Sequence, residues 1–460
     1  MAVEEVDLVV IGSGQGGVPL AVDAAKSGQR VVLFERDKLG GSCVNYGCTP
    51  SKAFLASAHN AGRARLAKNL GVEAEVRVDQ RAVMKRVRDI VAEWHDGIAP
   101  KLEQAGVELV RASAAFVGER TVRGGNREIR GARVVIDTGT TAAQPPIEGL
   151  TDVPYFTNHN FFDQETLPAR LIVIGGGYIG LELGQGAHRL GSRVTVLTPA
   201  ERVMEREEPD ASAVLQTSFQ RDGMTLRFEA RAKRVTHDGR THRVDLSDGG
   251  TLEADGLLVA TGRTPNTSDL NASASGVELE RGYVKTDDFL QTTCPGVYAL
   301  GDVAGQPAFT HVSWEDFRRL KSTFAGKPRK RDDRVLSYST FTEPQLARTG
   351  LTEEEAKTKG IAARSVTLQL ADVARAAEWD LELGFYRLVV DTSNDRIVGA
   401  TMVGYEAGEL VHVLAFAIEL GATWRQLDDF VGIHPTFGEG LPSLARLFED
   451  LGADRYMQRP

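Results

Sequence analysis

Cysteine is scarce in this sequence. Only Cys43, Cys48 and Cys294 occur among 460 residues. Three cysteines cannot build the dense disulfide framework of a small secreted scaffold, so that class of protein is excluded. A low count is typical of a reducing compartment, where a cysteine pair is more often catalytic or metal-binding than structural. We therefore predict a cytoplasmic protein.

Long apolar runs and an excess of positive charge are also missing. No stretch of about 18 apolar residues occurs, so no membrane span is expected. The acidic opening, MAVEEVDLVV, continues directly into a strand pattern and is unlike a signal peptide. The net charge of −9 argues against a nucleic-acid partner, because proteins that bind nucleic acids usually carry a basic excess. The charge run at 327–334 contains two aspartates, and we expect a solvated linker there.

Length and composition indicate a large globular protein. At roughly 150 residues per domain, 460 residues suggest about three domains. Hydrophobic residues make up 42% and charged residues 25%, which suits a chain with a large buried core. Residues 64–104 look like one long helical stretch and residues 107–139 like short strands. Glycine is the one excess, with 48 residues.

A strand, a glycine-rich turn and a helix open the chain. The β-branched run at 6–11 predicts a buried parallel strand. In the turn, Gly12 permits a sharp bend, Gly14 lets a pyrophosphate approach the backbone, and Gly17 lets the helix pack closely on the strand. The helix start offers its N–H groups to phosphates. Glu35 ends the next predicted strand, where a carboxylate can bind ribose hydroxyls, so we predict dinucleotide binding here.

Residues 170–197 repeat this strand–turn–helix–strand pattern. Gly175, Gly177 and Gly180 have the spacing of the first glycine motif. The repeat indicates a second nucleotide-binding module, and not a short-period solenoid.

The second module differs at its ribose position. Thr198 stands where a ribose-binding acid is expected, and a threonine cannot make the same paired contact, so NAD is not clearly specified. Arg202 and Arg206 could bind the 2′-phosphate of NADPH, or both could be solvated. The sequence therefore favours NADPH over NADH.

The most informative segment is GGSCVNYGCTPSK at residues 40–52. Cys43 and Cys48 lie close together at an apparent helix start, where thiolates are favoured. On that helix, Lys52 lies one turn after Cys48 and on the same face. A zinc site needs more ligands than neighbouring His or Cys residues supply, so no metal site is predicted. A redox-active dithiol is the chemistry that the spacing permits.

This segment resembles the redox-active signature of the class I flavin-dependent pyridine nucleotide-disulfide oxidoreductases. That family includes glutathione reductase, dihydrolipoamide dehydrogenase and mercuric reductase. Six further segments resemble family motifs, in the family's order, and are Gly12–Gly17, GGGYIGLE at 175–182, ATGRTPN at 260–266, ALGD at 299–302, FTEP at 341–344 and HPTFGE at 434–439. The resemblance covers essentially the whole chain, and mercuric reductase-like members look most similar.

The resemblance implies roles for the thiols and for a histidine. Cys48 would lie next to the flavin in a charge-transfer complex, and Cys43 would attack the substrate. His434 would be the acid/base for the dithiol, held by Glu439. Histidine suits this role because its unperturbed pKa lies near neutrality and a carboxylate fixes its tautomer. In the family this pair reaches the partner subunit's disulfide, which implies an obligatory homodimer with a shared active site.

The resemblance also implies cofactor contacts. FAD and NADPH, or NADH, would be the cofactors. Lys52 would pair with Glu182 near the flavin, and Tyr178 would gate the nicotinamide pocket. Asp302 would bind the ribityl chain of the flavin, and Gly262 would belong to a cofactor-binding turn.

The implied fold is α/β, with two Rossmann-like dinucleotide-binding domains and a C-terminal α+β dimerisation domain. The expected boundaries are an FAD domain at 1–147, an NAD(P) domain at 148–264, a second part of the FAD domain at 265–335 and a dimerisation domain at 336–460.

The chain departs from mercuric reductases in several ways. It has no cysteine after Cys294, where they carry a C-terminal pair, and it starts directly at the FAD strand. It also keeps His434, which they replace. Soft Hg(II) prefers several thiolates. Separately, Asp137 stands where the family usually has alanine, and no role is assigned to it.

We therefore expect the reduction of a small disulfide or a similar soft electrophile. Mercuric ion reduction is the first alternative. A dihydrolipoamide dehydrogenase component of a 2-oxoacid dehydrogenase complex is the second, and Thr198 speaks against it because that reaction usually needs NAD. A pure binding or redox-sensor role ranks last, since it would leave the hydride relay unexplained.

Overall fold

The N-terminal part of the chain is built around a seven-stranded sheet. The computed structural model describes residues 3–456, and the side chains of residues 3–449. The first elements are β1 (Glu4–Ile11), α1 (Gly17–Lys26), β2 (Val31–Glu35), α2 (Gly41–Asn45), α3 (Cys48–Leu66), α4 (Gln80–Asp96), α5 (Ile98–Ala105), β3 (Glu108–Arg111), β4 (Ala114–Gly118), β5 (Thr121–Gly124), β6 (Arg127–Ile136) and β7 (Thr140–Ala142). The strand order is β3-β2-β1-β6-β5-β4, and β1 is parallel to both of its neighbours.

The apolar run of β1 is buried on both faces of this sheet. Leu8 and Val10 pack in a core that includes α1, while Val9 and Ile11 pack in the core on the other face. A strand of a parallel sheet needs apolar residues on both faces, which explains why its pattern is continuous.

One predicted element is wrong. The stretch 64–104 is not one helix, because α3 ends at Leu66 and is followed by a short 3-10 turn, Ala67–Leu70. Helices α4 and α5 then begin at Gln80 and Ile98. Exposed helices and exposed loops are both rich in polar residues, so the composition of this stretch does not show that the helix ends at Leu66.

The second module has its own four-stranded parallel sheet. Its elements are β8 (Arg170–Ile174), α6 (Tyr178–Arg189), β9 (Arg193–Leu197), α7 (Pro209–Asp222), β10 (Thr225–Arg227), β11 (Ala232–His237), β12 (His242–Leu246), β13 (Thr251–Ala254), β14 (Gly256–Val259) and β15 (Arg263–Pro265). The sheet order is β10-β9-β8-β14, and β11, β12 and β13 form an antiparallel meander beside it. Strand β15 pairs with β7 and so connects the two modules.

After the second module the chain returns to the first sheet. The elements of this part are β16 (Leu279–Glu280), β17 (Tyr283–Val284), β18 (Val297–Ala299) and α8 (Thr310–Phe324). Strand β18 pairs in parallel with β6. The charge run at 327–334 is not fully solvated, because Arg334 is half-buried and donates a hydrogen bond to the buried Asp316, 2.5 Å away.

The C-terminal part is a five-stranded antiparallel sheet covered by helices. Its elements are β19 (Ser337–Thr340), β20 (Gln345–Gly350), α9 (Glu353–Thr358), β21 (Ala363–Gln369), α10 (Ala374–Glu378), β22 (Phe385–Asp391), β23 (Arg396–Gly404), α11 (Ala407–Glu419), α12 (Trp424–Asp428) and α13 (Gly440–Tyr456). The strand order is β19-β20-β23-β22-β21.

The predicted fold class is confirmed. Two sheets of the dinucleotide-binding type are followed by a mixed helix-and-sheet unit. The boundaries at 147, 264 and 335 stay predictions. Of the described helices, none combines the length and the apolar character needed to cross a membrane.

Candidate active site

A cavity of about 690 Å³ opens where the two modules and the C-terminal part meet. The carboxyl ends of β1, β2 and β6 form its floor, as expected for a ligand site in a parallel sheet. The predicted site residues that line it are Gly12, Gly14, Glu35, Cys43, Cys48, Lys52, Tyr178, Glu182 and Asp302.

The two cysteines lie on consecutive helices at one wall of the cavity. Cys43 is in α2, and Cys48 is the first residue of α3. Pro50 is tolerated in the first turn of α3, where its missing N–H group would have no helical partner. Both cysteines are free thiols in this structure. The sulfur of Cys48 lies 3.1 Å from the hydroxyl of Thr310, the first residue of α8.

The two thiols have opposite pKa shifts. The hydrogen bond from Cys43 and the charge of Lys52 lower the pKa of Cys48 to about 6, against the effect of burial. The same hydrogen bond, together with burial, raises the pKa of Cys43 above its ordinary value. Near neutral pH, Cys48 is therefore the thiolate, and Cys43 needs a base before it can act as a nucleophile.

Lys52 is held beside the thiols by a buried carboxylate. Its Nζ lies 2.8 Å from Oε2 of Glu182, which is 3% exposed. The other oxygen of Glu182 accepts the backbone N–H of Phe341 at 2.9 Å. The Nζ also lies 4.5 Å from the ring centroid of Phe341. One ion pair thus joins α3, α6 and the C-terminal part at the cavity.

The first glycine motif forms a cradle without room for side chains. A Cβ atom on Gly12, whose φ is +102°, would lie 2.2 Å from the carbonyl oxygen of Asp137. A Cβ atom on Gly14 or Gly17 would lie 2.7 Å from Oδ2 of the same residue. Because this backbone can approach a ligand directly, the cradle fits the pyrophosphate of FAD. Glu35 lies beside it and accepts hydrogen bonds from the N–H group and the hydroxyl of Ser13, at 2.9 and 2.6 Å.

Asp302 lies at the junction of the two modules. It accepts a hydrogen bond from the hydroxyl of Thr140 at 2.7 Å. Arg263 donates to the same hydroxyl at 2.6 Å and lies 3.6 Å from Asp302. All three residues line the cavity, where they could bind the polar chain of a flavin. Tyr178 enters the cavity from the start of α6, and burial raises the pKa of its phenol to about 12, so it stays protonated.

The second glycine motif has the geometry of the first. A Cβ atom on Gly175 would lie 2.2 Å from the carbonyl oxygen of Ala260, and one on Gly180 would lie 2.3 Å from the carbonyl oxygen of Gly175. Gly177, before the first turn of α6, and Gly262 face open space, with no atom within 4 Å of an added Cβ.

Arg202 lies in a shallow groove beyond β9. Its guanidinium donates to the carbonyl oxygens of Glu205 at 2.8 Å and of Glu207 at 3.5 Å. Glu201, Glu205 and Glu229 line the same groove. Arg206 is exposed.

His434 and Glu439 form a pair away from the cavity. Nδ1 of the histidine lies 2.7 Å from Oε2 of Glu439, and the histidine side chain is 73% exposed. Neither residue is among those that line the cavity within residues 3–449. The pair therefore faces outward from the described chain.

Sequence reasoning missed two side chains. Thr310 contacts the sulfur of Cys48, and its only signal was its place in the segment after the ALGD motif. Asp137 departs from the family pattern, and nothing in the sequence indicates that it accepts the N–H group of Gly17. Within residues 3–449, no group of three or more His, Cys, Asp or Glu side chains is arranged to hold a metal ion.

Comparison with known families covers most of the chain. Residues 6–316 match the family described as pyridine nucleotide-disulphide oxidoreductase. Residues 336–445 match the dimerisation domain of that family.

Similar proteins carry several names. A mercuric reductase from Bacillus cereus is 34% identical over 454 residues, which cover 96% of this chain and 71% of that protein. A dihydrolipoyl dehydrogenase from Thermus scotoductus is 34% identical over 449 residues, which cover 95% of this chain and 96% of that protein.

Two solved structures have the same fold. The HOCl-induced flavoprotein disulfide reductase RclA from Escherichia coli superimposes with a TM-score of 0.87 at 30% identity, covering 96% of this chain and 99% of RclA. LpdA from Mycobacterium tuberculosis gives a TM-score of 0.88 at 28% identity, covering 97% of this chain and 100% of LpdA. Since family matches, identity and fold agree along almost the whole length, this chain belongs to the pyridine nucleotide-disulphide oxidoreductase family.

Proposed function

We propose that this protein uses a reduced pyridine nucleotide, through FAD, to reduce a small disulfide or a similar soft electrophile at Cys43 and Cys48. The observation that carries the proposal is that the two free thiols of Cys43 and Cys48 line the same cavity as the Lys52–Glu182 ion pair. FAD, when bound, would supply a route for two electrons from the nicotinamide to the Cys43–Cys48 disulfide.

The side chains divide the remaining work. Lys52 stabilises the Cys48 thiolate by its charge. Cys43 attacks the acceptor disulfide, forming a mixed disulfide and releasing one thiolate of the acceptor. Cys48 then attacks Cys43, which releases the second acceptor thiolate and restores the Cys43–Cys48 disulfide. The raised pKa of Cys43 requires a base, and we assign this role to His434 of the partner subunit, with Glu439 fixing its tautomer.

The test is a panel of acceptors with the wild-type enzyme and a Cys43→Ser variant. The panel contains low-molecular-weight disulfides, lipoamide, Hg(II), Cu(II) and quinones, with NADH or NADPH as donor. We expect the variant to lose disulfide turnover and to keep quinone reduction, since only the former needs the thiol. Full disulfide turnover by Cys43→Ser would contradict the proposal.

Mercuric ion reduction remains the second candidate, because five of the similar proteins above 32% identity carry the name mercuric reductase. Cu(II) belongs in the panel because one of the similar solved structures is a Cu(II) complex of RclA. Hg(II)-dependent oxidation of the nucleotide in the presence of excess thiol would establish this candidate, and its absence would remove it.

We further propose that NADH is preferred over NADPH. The sequence favours NADPH because Thr198 replaces the ribose-binding acid and because Arg202 and Arg206 could bind a 2′-phosphate. In the structure, however, the guanidinium of Arg202 donates to carbonyl oxygens of its own loop. Three acidic residues, Glu201, Glu205 and Glu229, line the groove beyond β9 where we place the 2′-phosphate of NADPH. Negative charges placed next to one another are unfavourable, so these acidic residues would repel the 2′-phosphate of NADPH.

The nucleotide preference is tested by comparing kcat/KM for NADH and NADPH. We expect NADH to be favoured, and Glu201→Gln and Glu229→Gln to improve kcat/KM for NADPH with little effect on NADH. Glu253→Gln, on β13, is a matched control without a predicted effect. A wild-type preference for NADPH would contradict the proposal.

We also propose an oligomeric state and a cellular location for this protein. The match to a dimerisation domain supports a homodimer, in which the His434–Glu439 pair would serve the partner's thiols. A cytoplasmic location would suit a dithiol enzyme, because thiols stay reduced there.

A further inference from the structure

The two modules of this chain differ at one buried position. Asp137 follows β6 and Ala260 follows β14, and each precedes a Thr-Gly pair. Asp137 donates its backbone N–H to Ile11 at 2.8 Å, and Ala260 donates to Ile174 at the same distance. A Cβ atom on Gly12, the first glycine of the first motif, would lie 2.2 Å from the carbonyl oxygen of Asp137. A Cβ atom on Gly175, the first glycine of the second motif, would lie 2.2 Å from the carbonyl oxygen of Ala260. The two positions are equivalent. Because the second module has alanine here, the fold does not require a carboxyl group at this position.

The carboxyl group of Asp137 lies inside the phosphate cradle. Its Oδ2 accepts the N–H of Gly17 at 2.7 Å, at the start of α1. It also lies 2.7 Å from where a Cβ atom on Gly14 would stand. Asp137 is 7% exposed and lines the cavity. The carboxyl group is therefore next to the site where a diphosphate would bind.

The groups that face Asp137 from the surrounding elements are acidic. Burial is the largest cause that raises the pKa of Asp137 well above its usual value. Three negative charges act in the same direction, those of Asp302, of Glu35 at the end of β2, and of Asp316 in α8. The nearby cations are engaged elsewhere, because Arg334 pairs with Asp316 and Arg263 binds Thr140 and lies beside Asp302. Within residues 3–449, no cation forms an ion pair with Asp137.

We propose that FAD binding is coupled to the protonation of Asp137, so that the protein takes up a proton at this carboxyl group when the diphosphate enters the cradle. A charged carboxylate there would repel the two negative charges of the diphosphate. The neutral acid removes this repulsion and still accepts the N–H of Gly17. The inference rests on the proposed FAD site and is independent of the identity of the acceptor.

The sign of the pH dependence follows from this coupling. At low pH, Asp137 is already neutral and FAD binds most tightly. As the pH rises through the pKa of the free protein, each binding event must take up a proton, so affinity falls by up to about tenfold per pH unit. The diphosphate of FAD is a diester without a proton to lose in this range, so it adds no slope of its own.

The experiment measures FAD release from the purified holoenzyme by dilution and ultrafiltration, with released FAD detected by its fluorescence. Dissociation constants are compared between about pH 5 and about pH 9. We expect the wild type to lose affinity as the pH rises. Asp137→Asn, which resembles the neutral acid, should hold FAD about as tightly as the wild type at low pH and show no slope.

Two further variants keep the test decisive. Asp137→Ala copies the residue of the second module and should also lose the slope. Glu5→Gln, an exposed carboxylate on β1, should keep the wild-type slope. A flat wild-type profile, or an Asp137→Asn variant with the wild-type slope, overturns the inference. A wild-type protein that binds no FAD at any pH overturns the proposed function, and this inference with it.

Discussion

At the scale of single residues, the chemistry depends on the different pKa values that their surroundings give to the thiols of Cys43 and Cys48. The interaction between the thiols of Cys43 and Cys48 is the largest cause of both pKa shifts. Lys52 and Thr310 act in the same direction on Cys48. The thiolate is thereby assigned to one sulfur before any substrate binds.

This assignment predicts the effect of removing the donor. Cys43→Ala takes away the hydrogen bond to Cys48, so we expect the pKa of Cys48 to rise above about 6 by about one unit or more. The pH dependence of the alkylation rate of Cys48 by iodoacetamide, in the reduced holoenzyme, measures this pKa. Lys52→Met should shift it in the same direction, and Cys294→Ala, in the core of the first sheet, should not. An unchanged profile in Cys43→Ala would contradict the prediction.

At the scale of elements, a buried ion-pair cluster joins α3, α6 and the segment between β19 and β20. Arg189 in α6 is 4% exposed, donates to Glu343, and donates to Asp222 at 2.8 Å. Arg63 in α3 donates to Glu343 at 2.5 Å. The neighbouring Gln185 accepts the backbone N–H of Glu343 at 2.8 Å. This cluster fixes the same elements that bring Lys52, Glu182 and Phe341 together.

Removing the central cation should therefore be costly. Arg189→Met leaves Asp222 without its cation and leaves Glu343 with only Arg63 and His59, and we expect a loss of about 3–5 kcal/mol in the free energy of unfolding. Urea denaturation of the holoenzyme measures the loss. Arg227→Met, which breaks the exposed pair with Asp248, should cost less than about 1 kcal/mol. Equal losses in the two variants would contradict this reading of the cluster.

The pH dependence of the cluster has a definite sign. Burial opposes the charge of Glu343, but Arg189, His59 and Arg63 outweigh it, so the pKa of Glu343 is lowered. A carboxyl group with a depressed pKa contributes stability above its unfolded pKa of about 4.3, and this stability is lost as the pH falls through the folded pKa. In the Glu343→Gln variant, the free energy of unfolding should fall less steeply than in the wild type as the pH is lowered below about 4.3. Urea denaturation at several pH values measures this, and an equally steep fall in the variant would contradict the prediction.

At the scale of the whole molecule, the C-terminal part carries large apolar side chains that are exposed among the described residues, two of them beside His434 in the sequence. Phe416, Leu420, Val431 and Ile433 are 66%, 69%, 88% and 78% exposed. Exposed apolar side chains in such number mark an interaction surface. Residues 336–445 match a dimerisation domain, and we therefore expect a second copy of the chain to cover these side chains.

A shared active site predicts complementation between inactive subunits. Cys43→Ser and His434→Gln should each lack disulfide turnover alone. A mixed dimer of the two has one complete site, formed by Cys43 of one subunit and His434 of the other. Unfolding and refolding an equal mixture, with FAD present, should restore about a quarter of the wild-type rate if subunits pair at random. No recovery in a mixture shown to contain mixed dimers would mean that each chain uses its own histidine.

The site illustrates how far prediction from the sequence reached. The sequence pointed to the thiols, the glycine motifs and the Lys52–Glu182 pair, because local spacing and motif order carry that information. It did not point to the contact of Thr310 with Cys48 or to the cluster around Arg189, since those neighbours are far apart in the chain. The break after Leu66 was missed because an exposed polar segment has no periodic signal that separates helix from loop.

The sequence by itself determined the family resemblance, the α/β class, the two nucleotide-binding turns and the redox-active segment. Each of these depends on residues that are neighbours in the chain, so their physics is local. Only the tertiary structure decided which thiol has the lowered pKa, that acidic residues line the groove in which Arg202 lies, and that Asp137 lies in the phosphate cradle. Those properties depend on burial and on charges brought together from distant segments, which a linear pattern does not record.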